Sequence, residues 1–480
     1  MAEASIGKEA FACFCRKFES EAGRGVVSVR INPSKQSSYL SDMLAENMAE
    51  KVQWCSNGYY LAERPLFTLD PLFHSGAYYV QEACSMYMEL AFSAIAAACK
   101  KDTCNILSKA PCKDECECGS DLFNNLNVLD LCAAPGGKST HLLSLLGKDS
   151  VLVSNEVIRS RAVVLADNIA KWGACNAVVT NNDPADFKAF EGYFDIIVAD
   201  APCSGEGLFI KEPQAINEWS TANVNLCAQR QQRILADIWP ALKPGGFLIY
   251  STCTYNKFEN DGNVSFLENT FGAEVIDIPL PPDSGIIVTS KGGIQFVPGL
   301  VKGEGQFMAV VRKPFGEGSG RLGKTGYGKR MSDKVQFEKG CSYLPKNYTL
   351  VATGELVKGY RKELFEQIRF IEKNLKCLLS GIAVANKKGK DYIPHADFAL
   401  QQIVADMIAE NRLPAGINAI EVSMDDALKF LAKEPLLLKD APLGFILLTY
   451  NGLGLGFVKN MGTRTNNLLP MARRIKMDIH

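Results

Sequence analysis

The stretch "NVLDLCAAPGGKSTHLLSLLG", residues 127–147, decides the fold, because an apolar run of strand length leads through a glycine-rich turn into a helical stretch. Further apolar runs of strand length follow along the chain: "SVLVSNEV", "NAVVTNND", "FDIIVADA" and "GGFLIYSTC". Helical stretches such as "SRAVVLADNIAKWG" and "AQRQQRILADIWPAL" separate them. Strands that alternate with helices indicate a parallel α/β sheet that is covered on both faces.

The composition is typical of a soluble globular protein with room for about three domains. Of the 480 residues, 47% are hydrophobic and 22% are charged, and the net charge of −1 neither demands nor excludes a nucleic-acid partner. No apolar run has the length of a transmembrane helix, and the N-terminal stretch lacks the apolar core of a secretory signal. We therefore expect no membrane partner, a cytoplasmic location, and free thiols for most of the 16 cysteines.

The glycine-rich turn "LDLCAAPGGKS", residues 129–139, predicts a ligand site, because glycines let the backbone approach a ligand and helix N-terminal amides point at it. Its spacing fits neither a Walker A loop nor G-x-G-x-x-G. The next two strands end in Asn155-Glu156 and Asn182-Asp183, at the edge where open α/β sheets bind ligands. A single acidic residue there is more often a helix cap. Together, these residues favour a nucleoside cofactor, which we predict to be S-adenosylmethionine (SAM).

Two further strands end in a cysteine each, Cys203 in "DAPCSGEG" and Cys253 in "LIYSTCT". Free cysteines are often buried apolar thiols, but these two sit beside polar residues at strand exits. A thiolate beside an activated methyl group suits pyrimidine methylation, because its addition to carbon 6 makes carbon 5 nucleophilic. The residues alone allow either cysteine to be that nucleophile. Asp200 could hydrogen-bond a protonated ring N3, and Lys138 could be the electropositive neighbour of a reactive thiol, or serve only the cofactor or the helix start.

Several motifs together resemble the RNA (cytosine-5)-methyltransferases of the Sun/Fmu class, and within it the bacterial small-subunit (16S) ribosomal RNA methyltransferase F group. The motifs are "GAYYVQEACSM", "DLCAAPGGKST", "NEVIRSRAVVLADNIAKWG", "DAPCSGEG" and "LKPGGFLIYSTCT". The resemblance implies a Rossmann-like SAM-dependent methyltransferase sheet that makes 5-methylcytosine. It implies that Cys253 attacks carbon 6 and that Cys203 assists release of the product. The cofactor contacts that it implies are Cys132, Ala133, Ala134, Pro135, Gly136, Gly137, Lys138, Glu156, Asp183 and Asp200.

The chain is expected to place RNA-binding regions on both sides of the catalytic domain. The predicted segments are an N-terminal α+β RNA-binding domain at 1–105, the catalytic domain at 106–313, a Gly-rich basic linker at 314–330, a helical or mixed domain at 331–405 and a PUA-like, β-rich RNA-binding domain at 406–480. Residues 354–375 are predicted to be helical, and Asn451-Gly452 is predicted to be the turn of a hairpin. The basic stretches 328–334 and 386–390 could contact phosphates or be solvated loops.

No metal site is predicted from the sequence. The C-x3-C-x-C pattern within residues 104–118 invites a zinc interpretation, but structural zinc sites usually use paired C-x2-4-C knuckles, and a solvated loop fits this acidic stretch better. His74 and His141 are expected in the core or as helix caps. The cysteines of the pattern are Cys112, Cys116 and Cys118, with Cys104 as a fourth candidate.

The predicted substrate is a cytosine in 16S ribosomal RNA, as naked RNA or in the small ribosomal subunit, bound by a monomeric enzyme. The base must leave its stack to reach a pocket between the cofactor and Cys253. Two alternatives stay open at this point: the same reaction on transfer RNA, and an RNA-binding assembly factor that has kept the fold without the chemistry. The pair of cysteines argues against the second alternative.

Overall fold

A computed structural model of the chain describes residues 2–21, 25–35, 42–101, 122–316, 335–438 and 440–479. The cysteine-rich stretch 104–118, the basic stretch 328–334 and most of the predicted linker 314–330 lie outside these residues. In the part of the chain that is described, no helix is both long enough and apolar enough to cross a membrane.

The N-terminal region is an antiparallel sheet with helices around it. Its elements are α1 (Ala2–Ile6), α2 (Lys8–Glu21), β1 (Ser28–Ile31), α3 (Asp42–Asn47), β2 (Met48–Lys51), β3 (Gly58–Leu61), α4 (Pro71–Ser75), β4 (Tyr78–Val80) and α5 (Met88–Lys101). The strand order is β2-β3-β1-β4. Val29 and Ile31 of β1 belong to an apolar cluster, whereas Arg30 between them is buried against the central region, as the alternation of a strand requires.

The central region contains the large sheet that the sequence predicts. Its elements are β5 (Asn127–Asp130), α6 (Gly137–Leu145), β6 (Val151–Asn155), α7 (Arg159–Trp172), β7 (Ala177–Thr180), β8 (Phe194–Asp200), α8 (Thr221–Ile238), β9 (Leu242–Thr252), α9 (Asp261–Phe271), β10 (Glu274–Ile276), β11 (Ile287–Val288), β12 (Ile294–Phe296) and β13 (Gln306–Arg312). Strands β5, β6, β7, β8 and β9 are parallel, and β13 runs antiparallel to β9. Because both faces are covered, β5 and β6 are buried along their whole lengths.

The C-terminal region adds two four-stranded sheets and one strand of the central sheet. Its elements are β14 (Tyr348–Thr353), β15 (Leu356–Arg361), α10 (Phe365–Asn374), β16 (Cys377–Ser380), β17 (Ile382–Lys388), β18 (Asp391–Pro394), α11 (Ala396–Ala399), α12 (Gln402–Ala409), β19 (Ile417–Glu421), α13 (Met424–Ala432), β20 (Gly444–Tyr450), β21 (Leu453–Asn460) and β22 (Thr465–Asn467). The sheet orders are β14-β15-β17-β18 and β19-β20-β21-β22. Strand β16 pairs with β7, so the central sheet is completed by residues that follow the catalytic region in the sequence.

One predicted helix is wrong in its first half. Residues 354–375 contain the strand β15 before the helix α10, because Gly354, at a φ of 61°, reverses the chain and lets β15 pair with β14 and β17. The predicted hairpin is confirmed: Asn451 and Gly452 have φ values of 49° and 77° and join β20 to β21. Positive φ at both central positions is typical of the tight hairpin turn that favours Asn-Gly.

Candidate functional site

The glycine-rich turn joins the end of β5 to the start of α6. Gly136 precedes the helix with a φ of 115°, a conformation that residues with a side chain rarely adopt. A β-carbon on Gly137 would come within 3.3 Å of the Gln81 side chain, so this turn packs closely against the N-terminal region. The first amides of α6 have no partner within the helix, and such amides can bind the anionic part of a ligand.

The predicted cofactor residues Glu156 and Asp183 lie just beyond β6 and β7, at the same edge of the sheet. Glu156 is 2% exposed, and its carboxylate accepts a hydrogen bond from the backbone N–H of Ile158 at 2.9 Å. Asp183 accepts a hydrogen bond from the backbone N–H of Ala185 at 3.1 Å and caps the short helical turn that follows. Both carboxylates therefore have a structural partner and also line the edge where ligands bind in this kind of sheet.

Asn155 holds these strand ends together. Its side-chain N–H groups donate to the carbonyls of Leu131 and Asn182 at 3.1 and 2.9 Å, and its side-chain oxygen accepts from Asn182 N–H at 3.0 Å. Cys132 lies beside them, and its pKa is raised by burial and by neighbouring carboxylates that include Asp200 and Glu156. The turn therefore combines helix N-terminal amides with a concentration of negative charge, a mixture suited to a ligand with both anionic and cationic groups.

Asp200 is held at the end of β8 by three side chains, one of which is Gln306, whose Nε2 atom donates to Oδ1 at 3.4 Å. Its Oδ2 atom accepts a hydrogen bond from Lys138 Nζ at 2.8 Å, and its Oδ1 atom accepts one from Ser251 Oγ at 2.6 Å. Burial by itself lowers the pKa of Lys138. The nearby Asp200 carboxylate has the opposite effect and holds this pKa above the ordinary value for lysine. The Lys138 ammonium is therefore directed at this carboxylate, and it also lies 5.6 Å from the centre of the Tyr87 ring.

The two cysteines predicted at strand exits are in direct contact. The Cys203 and Cys253 sulfurs are 2.9 Å apart, and the backbone N–H of Cys253 donates to the Cys203 sulfur at 3.2 Å. Asp200 and Ser251 pair in the parallel register of β8 and β9, so the residues that follow them leave the sheet side by side. The contact with Cys253, together with burial, raises the pKa of Cys203 well above its ordinary value.

Sequence reasoning missed the residues that support this pair. Glu259 Oε2 accepts hydrogen bonds from Ser204 N–H at 3.1 Å and from Gln231 Nε2 at 2.7 Å, and so holds the loop that carries Cys203. Tyr87 O–H donates to Ser251 Oγ at 2.5 Å from the start of α5. Glu259 follows Cys253 by only six residues, and this closeness is the signal in the sequence that could have indicated a supporting role. For Tyr87, nothing in the sequence indicates a contact with β9.

The basic residues predicted to contact RNA have mixed surroundings. In the stretch 386–390, Lys387 Nζ lies 2.7 Å from Glu338, whereas Lys388 and Lys390 are exposed. In the basic C-terminal tail, Arg473 pairs with Asp167 of α7 at 2.6 Å and with Asp397 at 2.7 Å. The ion pair between Arg473 and Asp167 therefore connects the C-terminal region to helix α7 of the central region.

A parallel α/β sheet with a glycine-rich turn after one strand and ligand-capable residues after its neighbours is the arrangement of the nucleotide-binding α/β folds, the class to which SAM-dependent methyltransferases belong. A family model for the 16S rRNA methyltransferase RsmB/F matches residues 121–312. Models for the N-terminal domain of 16S rRNA methyltransferase RsmF and for the methyltransferase RsmF PUA domain match residues 3–83 and 417–475. The chain belongs to the 16S rRNA methyltransferase RsmB/F family, and it is a SAM-dependent RNA methyltransferase.

Relatives in this family match almost the whole chain. The ribosomal RNA small subunit methyltransferase F of Serratia proteamaculans is 30% identical over 449 residues, which are 90% of this chain and 86% of that protein. The protein of the same name from Shewanella loihica is 29% identical over 469 residues, covering 92% of this chain and 88% of that one.

Solved structures support the fold. The crystal structure of PH0851 matches with a TM-score of 0.52 and 22% identity, covering 65% of this chain and 64% of that one. The crystal structure of NSun6 from Pyrococcus horikoshii with SFG matches with a TM-score of 0.50 and 18% identity, covering 65% of this chain and 96% of that one. At this level of identity the likeness establishes a shared fold.

Proposed function

We propose that the chain methylates carbon 5 of a cytosine in small-subunit ribosomal RNA through a covalent adduct between Cys253 and carbon 6. The observation that carries this proposal is the 2.9 Å contact between the sulfurs of Cys203 and Cys253 at the ends of adjacent strands. Methylation of an exocyclic amine needs no thiol, whereas methylation of a pyrimidine carbon needs a nucleophile that adds and is later expelled.

The hydrogen-bonding groups at the edge of the central sheet suit the parts of a SAM molecule. The amides at the start of α6 suit its carboxylate, and the Glu156 carboxylate suits its ribose hydroxyls. We assign Asp183, which caps the turn after β7, to the adenine amino group. We assign the backbone from Cys132 to Lys138 to the cofactor; β-carbons on Gly136 and Gly137 would come within 3.2 Å of Leu165 and 3.3 Å of Gln81, so the turn has little room for larger residues. When bound, SAM supplies an electrophilic methyl group; every other part of the reaction falls to the chain.

Cys253 begins the reaction. Its thiol loses a proton to solvent water, the thiolate adds to carbon 6, and the electrons of the carbon 5–carbon 6 double bond move toward N3, which takes up a proton from solvent water. Asp200 accepts hydrogen bonds from protonated N3 and from the exocyclic amine and so stabilises the adduct. Lys138 acts through Asp200, because its Nζ donates to Asp200 Oδ2 at 2.8 Å, and we assign it a positioning role. Carbon 5 can then take the methyl group.

Cys203 ends the reaction. Carbon 5 must lose its proton, and the electrons of that bond re-form the carbon 5–carbon 6 double bond and expel the Cys253 sulfur as a thiolate. The Cys203 sulfur, in contact with Cys253, is placed to assist this step. The contact and burial that raise the pKa of Cys203 keep it a thiol, whose S–H can donate a hydrogen bond to the departing Cys253 sulfur while the protons of carbon 5 and N3 pass to solvent water.

The substrate can be tested with the purified chain. Naked 16S ribosomal RNA, small ribosomal subunits and transfer RNA are each incubated with SAM and then sequenced after bisulfite treatment. We expect one protected cytosine in the ribosomal RNA and none in the transfer RNA. Methylation of transfer RNA alone would overturn the proposed substrate, and methylation of no cytosine in any of the three would overturn the proposed reaction.

A further inference from the structure

Three side chains with metal-binding atoms meet where the N-terminal region contacts the catalytic sheet. Cys55 lies in the turn between β2 and β3, Glu89 in the first turn of α5, and His141 in the middle of α6. One sulfur, one carboxylate oxygen and one imidazole nitrogen from these residues lie within 4.8 Å of one another. We call this group the Cys55–Glu89–His141 cluster.

The two separations that involve His141 are close to those around a tetrahedral ion, and the third, from Cys55 Sγ to a Glu89 carboxylate oxygen, is within 4.8 Å. His141 Nε2 lies 3.4 Å from Glu89 Oε1 and 3.8 Å from Cys55 Sγ. Zinc bonds of about 2.3 Å to sulfur and about 2.0 Å to nitrogen or oxygen, at tetrahedral angles, separate N and O by about 3.3 Å and S and N by about 3.5 Å. The Nε2 atom faces both other ligand atoms at once, which is the arrangement expected around a common centre.

The surroundings of the cluster allow an ion to enter and orient one ligand. Cys55 is 2% exposed and His141 is 1% exposed, whereas the Glu89 side chain is 25% exposed. Cys55 and Glu89 line a cavity of about 790 Å³ at the surface. The carboxylate of Glu89 accepts hydrogen bonds from the backbone N–H of Ser56 at 2.9 and 3.0 Å, so its direction is fixed by an outer partner, as is usual for ligating carboxylates.

We propose that Cys55, Glu89 and His141 bind one zinc ion, with a water molecule from the adjoining cavity as the fourth ligand. A thiolate, an imidazole and a carboxylate together favour zinc over the hard cations that prefer oxygen alone. The ion joins the β2–β3 turn and α5 to α6, the helix whose first residues belong to the glycine-rich turn. The ion therefore stabilises the position of the cofactor site relative to the N-terminal region. This proposal does not depend on which RNA is methylated.

The test measures zinc bound to the full chain. The wild-type protein, purified and then equilibrated with zinc and a competing chromogenic chelator, is expected to retain about one tightly bound ion per chain. Cys55→Ser and Glu89→Gln are expected to weaken zinc binding by at least about tenfold. The matched control Cys341→Ser changes a buried cysteine of the C-terminal region and is expected to retain the ion.

A second arm separates this cluster from the cysteines at 104–118. If Cys116→Ser loses the zinc and Cys55→Ser keeps it, the proposal is wrong, and it is also wrong if the wild type binds no more zinc than Cys55→Ser. Thermal unfolding guards against misfolding: each protein is compared with itself in excess chelator and in added zinc, and zinc should raise the melting temperature of the wild type but not that of Glu89→Gln, whose lost hydrogen bonds to Ser56 lower both of its values alike. An equal rise in both proteins would overturn the assignment of Glu89 as a ligand.

Discussion

Asp200 and Ser251 pair across the parallel strands β8 and β9, and the Ser251 hydroxyl donates to Asp200 Oδ1 at 2.6 Å. This single register determines which residues leave the two strands together. Cys203 follows Asp200 by three residues and Cys253 follows Ser251 by two, so the thiols meet beyond the sheet. The hydroxyl of Tyr87 donates to Ser251 in turn, which connects the Asp200 carboxylate to the residue just before helix α5 of the N-terminal region.

We predict that Ser251→Ala lowers kcat for methyl transfer about tenfold with little change in KM for RNA, because Asp200 loses a directing hydrogen bond worth about 1–2 kcal/mol. The variant also leaves the buried Tyr87 hydroxyl without its acceptor. Tyr87→Phe is the matched control, since it removes that hydroxyl and keeps the Ser251–Asp200 bond; we expect its kcat to stay near that of the wild type. Steady-state kinetics with ribosomal RNA measure both variants, and equal kcat values for Ser251→Ala and wild type would contradict the positioning role.

The division of labour between the cysteines predicts opposite phenotypes. Cys203→Ala should accumulate a covalent protein–RNA adduct on denaturing gels, because Cys253 can still add to carbon 6 while release is impaired. Cys253→Ala should give neither adduct nor methylated product. Cys341→Ala, in a different apolar cluster, should behave as the wild type. An adduct in Cys253→Ala and none in Cys203→Ala would reverse the assignment.

The sequence predicts which side chains meet at this edge of the sheet, because the end of a strand is visible in the local pattern. Each of the stretches ending at Asp200 and Thr252 is an apolar run followed by polar residues, and parallel strands bring such ends to one edge. The contact between the thiols depends on the register of β8 against β9, which no local pattern encodes. Tyr87 and Ser251 are 164 positions apart in the chain. The hydrogen bond between them could therefore not be predicted from the motif around either residue.

Other features of the fold depend on long-range pairing in the same way. Residues 356–361 are predicted to be helical, but they form β15, which pairs with β14 and β17 on either side. Strand β16 extends the central sheet from outside the predicted catalytic segment. The Cys55–Glu89–His141 cluster joins three separate elements, so the sequence shows only three unrelated residues where the fold brings their ligand atoms within 4.8 Å.

Arg30 is predicted to be important for docking the N-terminal region. From β1 it donates to Gln81 Oε1 at 2.9 Å and to Thr140 Oγ1 at 2.6 Å, and its guanidinium lies 4.6 Å from the centre of the Trp172 ring. Arg30→Met should lower the free energy of unfolding by about 2–4 kcal/mol, because each buried acceptor left unpaired costs about 1–3 kcal/mol.

Urea unfolding measures the effect of Arg30→Met against Arg64→Met, which changes an exposed arginine of the same region. We expect the second variant to stay within about 0.5 kcal/mol of the wild type, as is usual at the surface. Because Thr140 lies in α6, Arg30→Met should also weaken SAM binding, measured by calorimetry. An Arg30→Met protein as stable as Arg64→Met would contradict a docking role for this side chain.

Asp130, the last residue of β5, should make stability depend on pH in an unusual direction. Its side chain is fully buried; Oδ2 accepts from Ser139 Oγ at 2.6 Å, whereas Oδ1 has no hydrogen-bond partner among the described residues. Burial raises the pKa of Asp130 from 3.8 to about 7. The folded state therefore binds this proton more tightly than the unfolded state, and the stability that it contributes is complete below about pH 4 and is lost as the pH rises to about 7.

Asp130→Asn removes this titration while keeping the shape of the side chain. Between pH 5 and 7 the wild type should lose up to about 1.4 kcal/mol of unfolding free energy per pH unit relative to Asp130→Asn, with no further relative change above pH 7.5. Asp277→Asn, at an exposed position, removes the same formal charge and should run parallel to the wild type. Urea unfolding at half-unit pH steps measures the three proteins. A wild-type curve parallel to that of Asp130→Asn would mean that Asp130 is ionised in the folded protein across this range, and that its buried carboxylate is stabilised by Lys138 despite the missing hydrogen bond.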